Sequence, residues 1–196
     1  MRFVCLLATL FFLAFAKLEA ADGPVVKHVV LVSIDGLAAS YLDDPRSELP
    51  TLRMLAKRGA SAKGMITSFP SVTWPSHTSL VTGVQPARHG VIGNSVWNRK
   101  LNRAVTYIGD PELTKDQAIR VPTLYDVAHA HGLKTASVIW PCCNGAKSLD
   151  WIIPDSNKES LHLRYTTPGF TEELLKAGID IRPLGKWGWD KKYSTP

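Results

Sequence analysis

Three cysteines in 196 residues are too few for a disulfide framework. Cys142 and Cys143 stand side by side, where the ring of a bridge between them would be strained, so two buried or capped thiols are expected rather than a crosslink or a metal site. Long apolar runs are equally scarce. The one from Phe3 to Ala16 follows Arg2, is shorter than the roughly 20 residues that span a bilayer, and precedes small residues before Ala21. Residues 1–20 therefore read as a secretory signal cleaved near Ala20, and the mature chain is expected to be exported without a stable membrane anchor. Charge of one sign is missing too: Lys and Arg number 23 against 17 Asp and Glu, a balance of +6 that becomes +5 once Arg2, Lys17 and Glu19 leave with the signal. No Lys/Arg cluster is interleaved with aromatics, which excludes a nucleic-acid binder and leaves mild attraction for small anions. There is no repeat, linker or charge block, so residues 21–196 read as one domain or part of one.

What is present is a series of local helix and strand signals. His28 to Ile34 is a β-branched run bounded by Asp35-Gly36, the pattern of a strand buried on both faces of a parallel sheet. Pro50 opens a helix with Leu52, Leu55 and Ala56 on one face and Gly59 at its end, and residues 61–67 can supply the next strand. Thr73 to Thr82 reads as a second helix stopped by Gly83, and Pro86 to Arg103 as a long surface loop or hairpin. The clearest unit starts at Thr123, runs as a helix through His131, is capped by Gly132 and returns as a strand over residues 135–140. A short strand at residues 150–154 and a short helix at 171–177 follow. The order predicts an α/β layered fold with a mostly parallel sheet, whose ligands bind at the carboxyl ends of the strands.

Two residues carry chemistry in that frame. Asp35 ends the first predicted strand, where its carboxylate reaches the crevice; an Asx-type turn into Gly36 is the competing use. Thr73 opens a helix, where unpaired amides and the dipole favour an anion; simple helix capping is the competing use. A threonine hydroxyl is a weak nucleophile and needs an agent to take its proton. His77 lies one turn deeper, a position suited to packing, whereas a divalent cation shared with Asp35 would activate the oxygen and balance phosphoryl charge.

The stretches VVLVSIDGL and FPSVTWPSHTSLVTGVQPARHGVIGN resemble the type I phosphodiesterase/nucleotide pyrophosphatase branch of the alkaline phosphatase superfamily. The resemblance implies that Asp35 is a zinc ligand, that Thr73 is the nucleophile, a metal ligand in its turn, and that Asn94 in His89-Gly90-Val91-Ile92-Gly93-Asn94 hydrogen-bonds a phosphoryl oxygen. It further implies two zinc ions, a phosphothreonine intermediate and small phosphate-ester or nucleotide substrates; no feature names a protein partner. A sulfatase would need a Cys or Ser in a C/S-x-P-x-R setting, which PSVTWPSH lacks.

The remaining ligands implied by the resemblance are missing. No Asp is followed four residues later by His, no Asp-His dipeptide occurs, and the last histidine is His162. Asp126 and His129 fit surface or core duty better, and His129 and His131 point to different helix faces. Trp187 and Trp189 read as a surface turn rather than a substrate mouth. The chain thus reads as a truncated, amino-terminal part of the catalytic domain, expected to be inactive or nearly so at this length. The alternatives are a noncatalytic remnant that binds an anion or a partner, and a phosphonate or phosphomonoester hydrolase on the same scaffold.

Overall fold

A computed structural model describes residues 27–181, so the expectations for residues 1–20 and for Trp187 and Trp189 fall outside the described residues. The chain divides into two units at Ser33/Ile34. In the first, the described residues 27–33 carry no helix or strand, and Val29 and Val30 are 87% and 82% exposed.

The predicted strand over residues 28–34 is therefore not formed, nor is the one over residues 61–67, where Ile66 is fully exposed. The physical reason is that a strand's hydrogen bonds are made to a neighbour. β-Branched composition favours a pleated, half-buried surface and cannot supply that neighbour. Among the described residues the sheets are two pairs of strands, one antiparallel and one parallel, rather than a mostly parallel layer.

The second unit alternates short helices with these strands. Helix α1 (Pro50–Arg58) begins at the expected proline and ends at Gly59, but buries no residue. It is held through Arg53, whose guanidinium donates to the carbonyl oxygens of Leu42, Asp44 and Ser47. Helix α2 (Thr73–Thr82) stops at Gly83, whose φ of 68° is the left-handed geometry that glycine adopts without a Cβ clash. The segment predicted as a loop or hairpin is a one-turn helix α3 (Pro86–His89), followed by β1 (Ser95–Asn98) and β2 (Arg103–Thr106), an antiparallel hairpin with Val96 opposite Val105.

Beyond the hairpin lie one turn of helix, α4 (Lys115–Ala118), then α5 (Leu124–Ala130), β3 (Ala136–Trp140), β4 (Trp151–Pro154), α6 (Glu159–Tyr165) and α7 (Phe170–Lys176). The expected start of α5 is a capping box: the Asp126 amide donates to Thr123 Oγ1 at 3.2 Å, and the Thr123 amide donates to Asp126 Oδ2 at 2.7 Å. β3 and β4 pair in parallel, with Ser137 opposite Ile152, and the register slips between Val138 and Trp140, where Ile139 takes a φ of 53°. That bulge turns the end of β3 and aims Trp140 back toward α2.

Two apolar clusters meet on α2. Trp74 joins Val91, Tyr107, Ala118, Ile119 and Cys142; Val81, two turns on and on the same helix face, joins Tyr125, Cys143, Ala146, Leu149 and Ile152. The adjacent cysteines are thus buried free thiols, one in each cluster. Burial pushes both thiols up, so they act as packing groups at neutral pH.

Candidate active site

Asp35 lies in a tight turn with Gly36, whose φ is 69°. Its carboxylate is not spent on that turn. Thr73 Oγ1 donates to Asp35 Oδ2 at 2.9 Å, joining two residues 38 positions apart. The helix does not use the Thr73 hydroxyl as its cap, because α2 begins at Thr73 and the capping position is Val72, which offers no side-chain acceptor. The hydroxyl is therefore free to face Asp35.

The cap is supplied from elsewhere. The Trp74 amide donates to Asn94 Oδ1 at 2.9 Å, so the loop after α3 satisfies the first turn of α2. Pro75 has no N–H, and Ser76 donates to the Val72 carbonyl. Among the described residues this leaves the Thr73 amide as the open donor of that turn. Bonding through Oδ1 also fixes the Asn94 side chain, so that its NH2 group has no partner among the described residues and can donate to an anion.

Buried groups lock this arrangement. His77 Nδ1 lies 2.8 Å from the Thr73 carbonyl, and because a carbonyl only accepts, Nδ1 carries the hydrogen. The same nitrogen is 3.9 Å from Asp35 Oδ1, and the ring stands edge-on to Trp140 at 5.1 Å between centroids. His77 is thus a positioning group under the threonine, in line with the packing role expected for it. His89 is fully buried beneath the Asn94 loop. The Val91 amide donates to its Nδ1, so Nε2 donates to Ser79 Oγ at 3.0 Å, and burial pushes the imidazole below its ordinary value and keeps it neutral.

Asp155, which follows β4, was missed in the sequence. Burial raises its carboxyl to about 6; His77 opposes the shift, and the Asp35 charge reinforces it. The group thus lies within electrostatic reach of both His77 and Asp35. Its position directly after a predicted strand is the one signal that could have marked it, since parallel strands present functional groups at their carboxyl ends.

Asp35 and Thr73 offer two oxygens close enough to share a cation, because two bonds of about 2 Å permit a separation of up to about 4 Å. Asp35 is 60% exposed and leaves room for further ligands. Among the described residues, however, no three His, Cys, Asp or Glu side chains gather as a metal-binding group. The residues present fit part of a metal site and do not close one. Asp126 and His129 are committed elsewhere: Asp126 accepts from Lys115 Nζ at 2.6 Å within its capping box, and His129 lies 3.7 Å from Asp150.

Comparison with known proteins finds relatives among pyrophosphatases and phosphodiesterases. Human ectonucleotide pyrophosphatase/phosphodiesterase family member 1 is 33% identical over 133 residues, 66% of this chain and 14% of its own length. Family member 3 from Rattus norvegicus is 33% identical over 127 residues, 63% of this chain and 14% of its own. The venom phosphodiesterase of Macrovipera lebetinus is 31% identical over 113 residues, 58% and 13%. The chain therefore spans about one seventh of the length of these relatives. The sequence model of type I phosphodiesterase / nucleotide pyrophosphatase matches residues 29–192, and the chain belongs to that family.

Proposed function

We propose that residues 21–196 are the amino-terminal part of an alkaline phosphatase-like catalytic domain that cleaves phosphodiester or pyrophosphate bonds of small phosphate esters or nucleotides. The observation that carries this reading is the Thr73 hydroxyl held 2.9 Å from the Asp35 carboxylate at the start of α2. Thr73 Oγ1 attacks phosphorus, the bond from phosphorus to the leaving oxygen breaks, and that oxygen takes up a proton. The phosphoryl group, still carrying the substrate's remaining ester, stays on Thr73 until water cleaves the new bond. The Asn94 NH2 and the Thr73 amide donate to the phosphoryl oxygens, where negative charge develops. Asp35 accepts the hydrogen of Thr73 and orients the oxygen.

Asp35 and Thr73 would also hold a divalent cation, zinc by the resemblance, and a bound cation supplies a lowered hydroxyl pKa and charge balance at phosphorus. The two described oxygens are fewer than the three or four protein ligands of such sites, so slow turnover is expected of this chain. Export, through a leader at residues 1–20, fits relatives named as an ectoenzyme and as a venom enzyme. No helix among the described residues is long and apolar enough to cross a membrane.

The test is release of nitrophenolate from bis(4-nitrophenyl) phosphate by the full chain, with added zinc and with chelator. Zinc-dependent release that disappears in Thr73→Ala is expected. Release that persists undiminished in that variant would overturn the mechanism. No release together with no stoichiometric zinc would favour a noncatalytic module, and preferential release from 4-nitrophenyl phosphate or a phosphonate ester would favour the other hydrolase classes.

A further inference from the structure

The hairpin of β1 and β2 stands over a cavity of about 430 Å³ that none of Asp35, Thr73 and Asn94 lines. Its walls include Trp97, Arg99 and Lys100 from the hairpin, Tyr107 after it, Gly90 before it and Arg120 after α4. The volume lies within the range of small-ligand sites, roughly 300–1,000 Å³.

The lining has two distinct characters. Trp97 is 64% exposed on β1, where a large ring has no packing reason to stay uncovered. Tyr107 is buried, stacks on Trp74 at 5.2 Å between centroids, and stays a neutral phenol because burial raises it to about 12. Against these rings stand three cations. Among the described residues none of Arg99, Lys100 and Arg120 has a carboxylate partner or a side-chain hydrogen bond, whereas Arg103 of the same hairpin is paired with Asp110 at 2.6 Å and Glu112 at 3.6 Å. The hairpin therefore spends one of its cations inward and leaves two facing the cavity.

Arg120 is tied through its backbone to the segment before the hairpin. Its amide donates to the His89 carbonyl at 3.1 Å, and its side chain crosses Gly90 so closely that a Cβ there would lie 2.8 Å from Nε and 2.9 Å from Cδ. A side chain there would push Arg120 aside, and Gly90 also has a φ of 87°, which favours glycine. An arginine lying against Gly90, with two more cations lining the same cavity, is a set of groups that can recognise phosphate oxygens. An exposed indole on the same wall is a stacking platform for a flat ring.

We propose that this cavity is a binding site for a nucleotide, with phosphates against Arg99, Lys100 and Arg120 and the base on Trp97. The site does not depend on the Thr73 hydroxyl. Tyr107 connects the two regions, since it lines the cavity and stacks on Trp74, the residue after Thr73.

The experiment is calorimetric titration of the full chain carrying Thr73→Ala, which removes the proposed nucleophile, with ATP, inorganic pyrophosphate and adenosine as probes. Saturable ATP binding is expected, tighter than either fragment and weakened by salt. Lys100→Glu and Arg120→Ala should each weaken ATP by at least about tenfold, and Trp97→Ala should bring ATP down to the level of pyrophosphate. Lys100 and Trp97 are exposed, so those two variants carry the test even if Arg120→Ala fails to fold. Absence of ATP binding up to about 1 mM, a free energy near −4 kcal/mol, would overturn the proposal. So would ATP binding unchanged by Lys100→Glu and Trp97→Ala. Because these titrations lack the Thr73 hydroxyl, their failure leaves the proposed mechanism standing, and failure of the mechanism leaves them readable.

Discussion

Asn94 reaches across from the loop after α3 to accept the Trp74 amide at 2.9 Å, so one side chain both caps α2 and stands beside the residue that opens it. Its two ends are separable by substitution. Asn94→Asp keeps an oxygen for the Trp74 amide and removes the NH2 donor; Asn94→Ala removes both. We expect Asn94→Ala to lose about 1 kcal/mol of stability, the usual worth of a helix cap, and Asn94→Asp to melt near the wild type. Both should lose binding of inorganic phosphate at Thr73. Thermal melts read the first effect, and titration with phosphate in the presence of zinc reads the second.

Asp126 should make the fold acid-labile. Burial opposes its ionisation, yet bonds from Lys115, Ser148 and Thr123 outweigh burial and hold its carboxyl at about 2. A carboxyl lowered on folding contributes stability above its unfolded pKa and loses it as pH falls through the folded one. The contribution is on the order of 2 kcal/mol, present at neutral pH and lost between about pH 5 and pH 2. Asp126→Asn should remove most of that pH dependence, measured by denaturant melts across the range.

Asp155 should act in the opposite sense. Its carboxyl is raised on folding, so its contribution is complete below the unfolded pKa and is lost as pH climbs through about 6. We expect Asp155→Asn to be more stable than the parent at pH 8 in chelator, with the gap closing toward pH 4. A constant gap at both pH values would show that the carboxylate is not penalised by its surroundings.

His77 holds Thr73 from below through a bond of 2.8 Å to its carbonyl, and it packs on Trp140. His77→Ala should cost about 2 kcal/mol or more, since it leaves a cavity under α2. His77→Asn can restore the donor, and a partial recovery of nitrophenolate release in that variant, beyond the recovery of stability, would separate positioning from packing.

Local signals in the sequence were legible where the structure rests on local physics. The helix start at Thr123, the proline at the start of α1 and Gly83 at the end of α2 are each written within one turn of the element they bound, whereas the capping role of Asp126 was not read. The strand expected over residues 28–34 failed because pairing depends on chain elsewhere, and the bulge at Ile139 gave no sign for the same reason. At the site, Asp35, Thr73 and Asn94 were visible as a motif, yet their contacts were not, since bonds across 38 and 20 positions are settled by folding. Asp155 carries no motif, and its place directly after a predicted strand is the one mark it has in the sequence. The cavity under the hairpin was hidden because its cations come from segments on either side of α4.

In the proposed reaction Thr73 Oγ1 becomes bonded to phosphorus. The direct measurement is acid quenching of the full chain after mixing with zinc and a nucleotide phosphodiester, followed by mass spectrometry of the peptide containing residue 73. A phosphoryl group with its remaining ester is expected on Thr73, retained on serine in Thr73→Ser and absent in Thr73→Ala. Product formation without any adduct on residue 73, or an adduct on another residue, would contradict it.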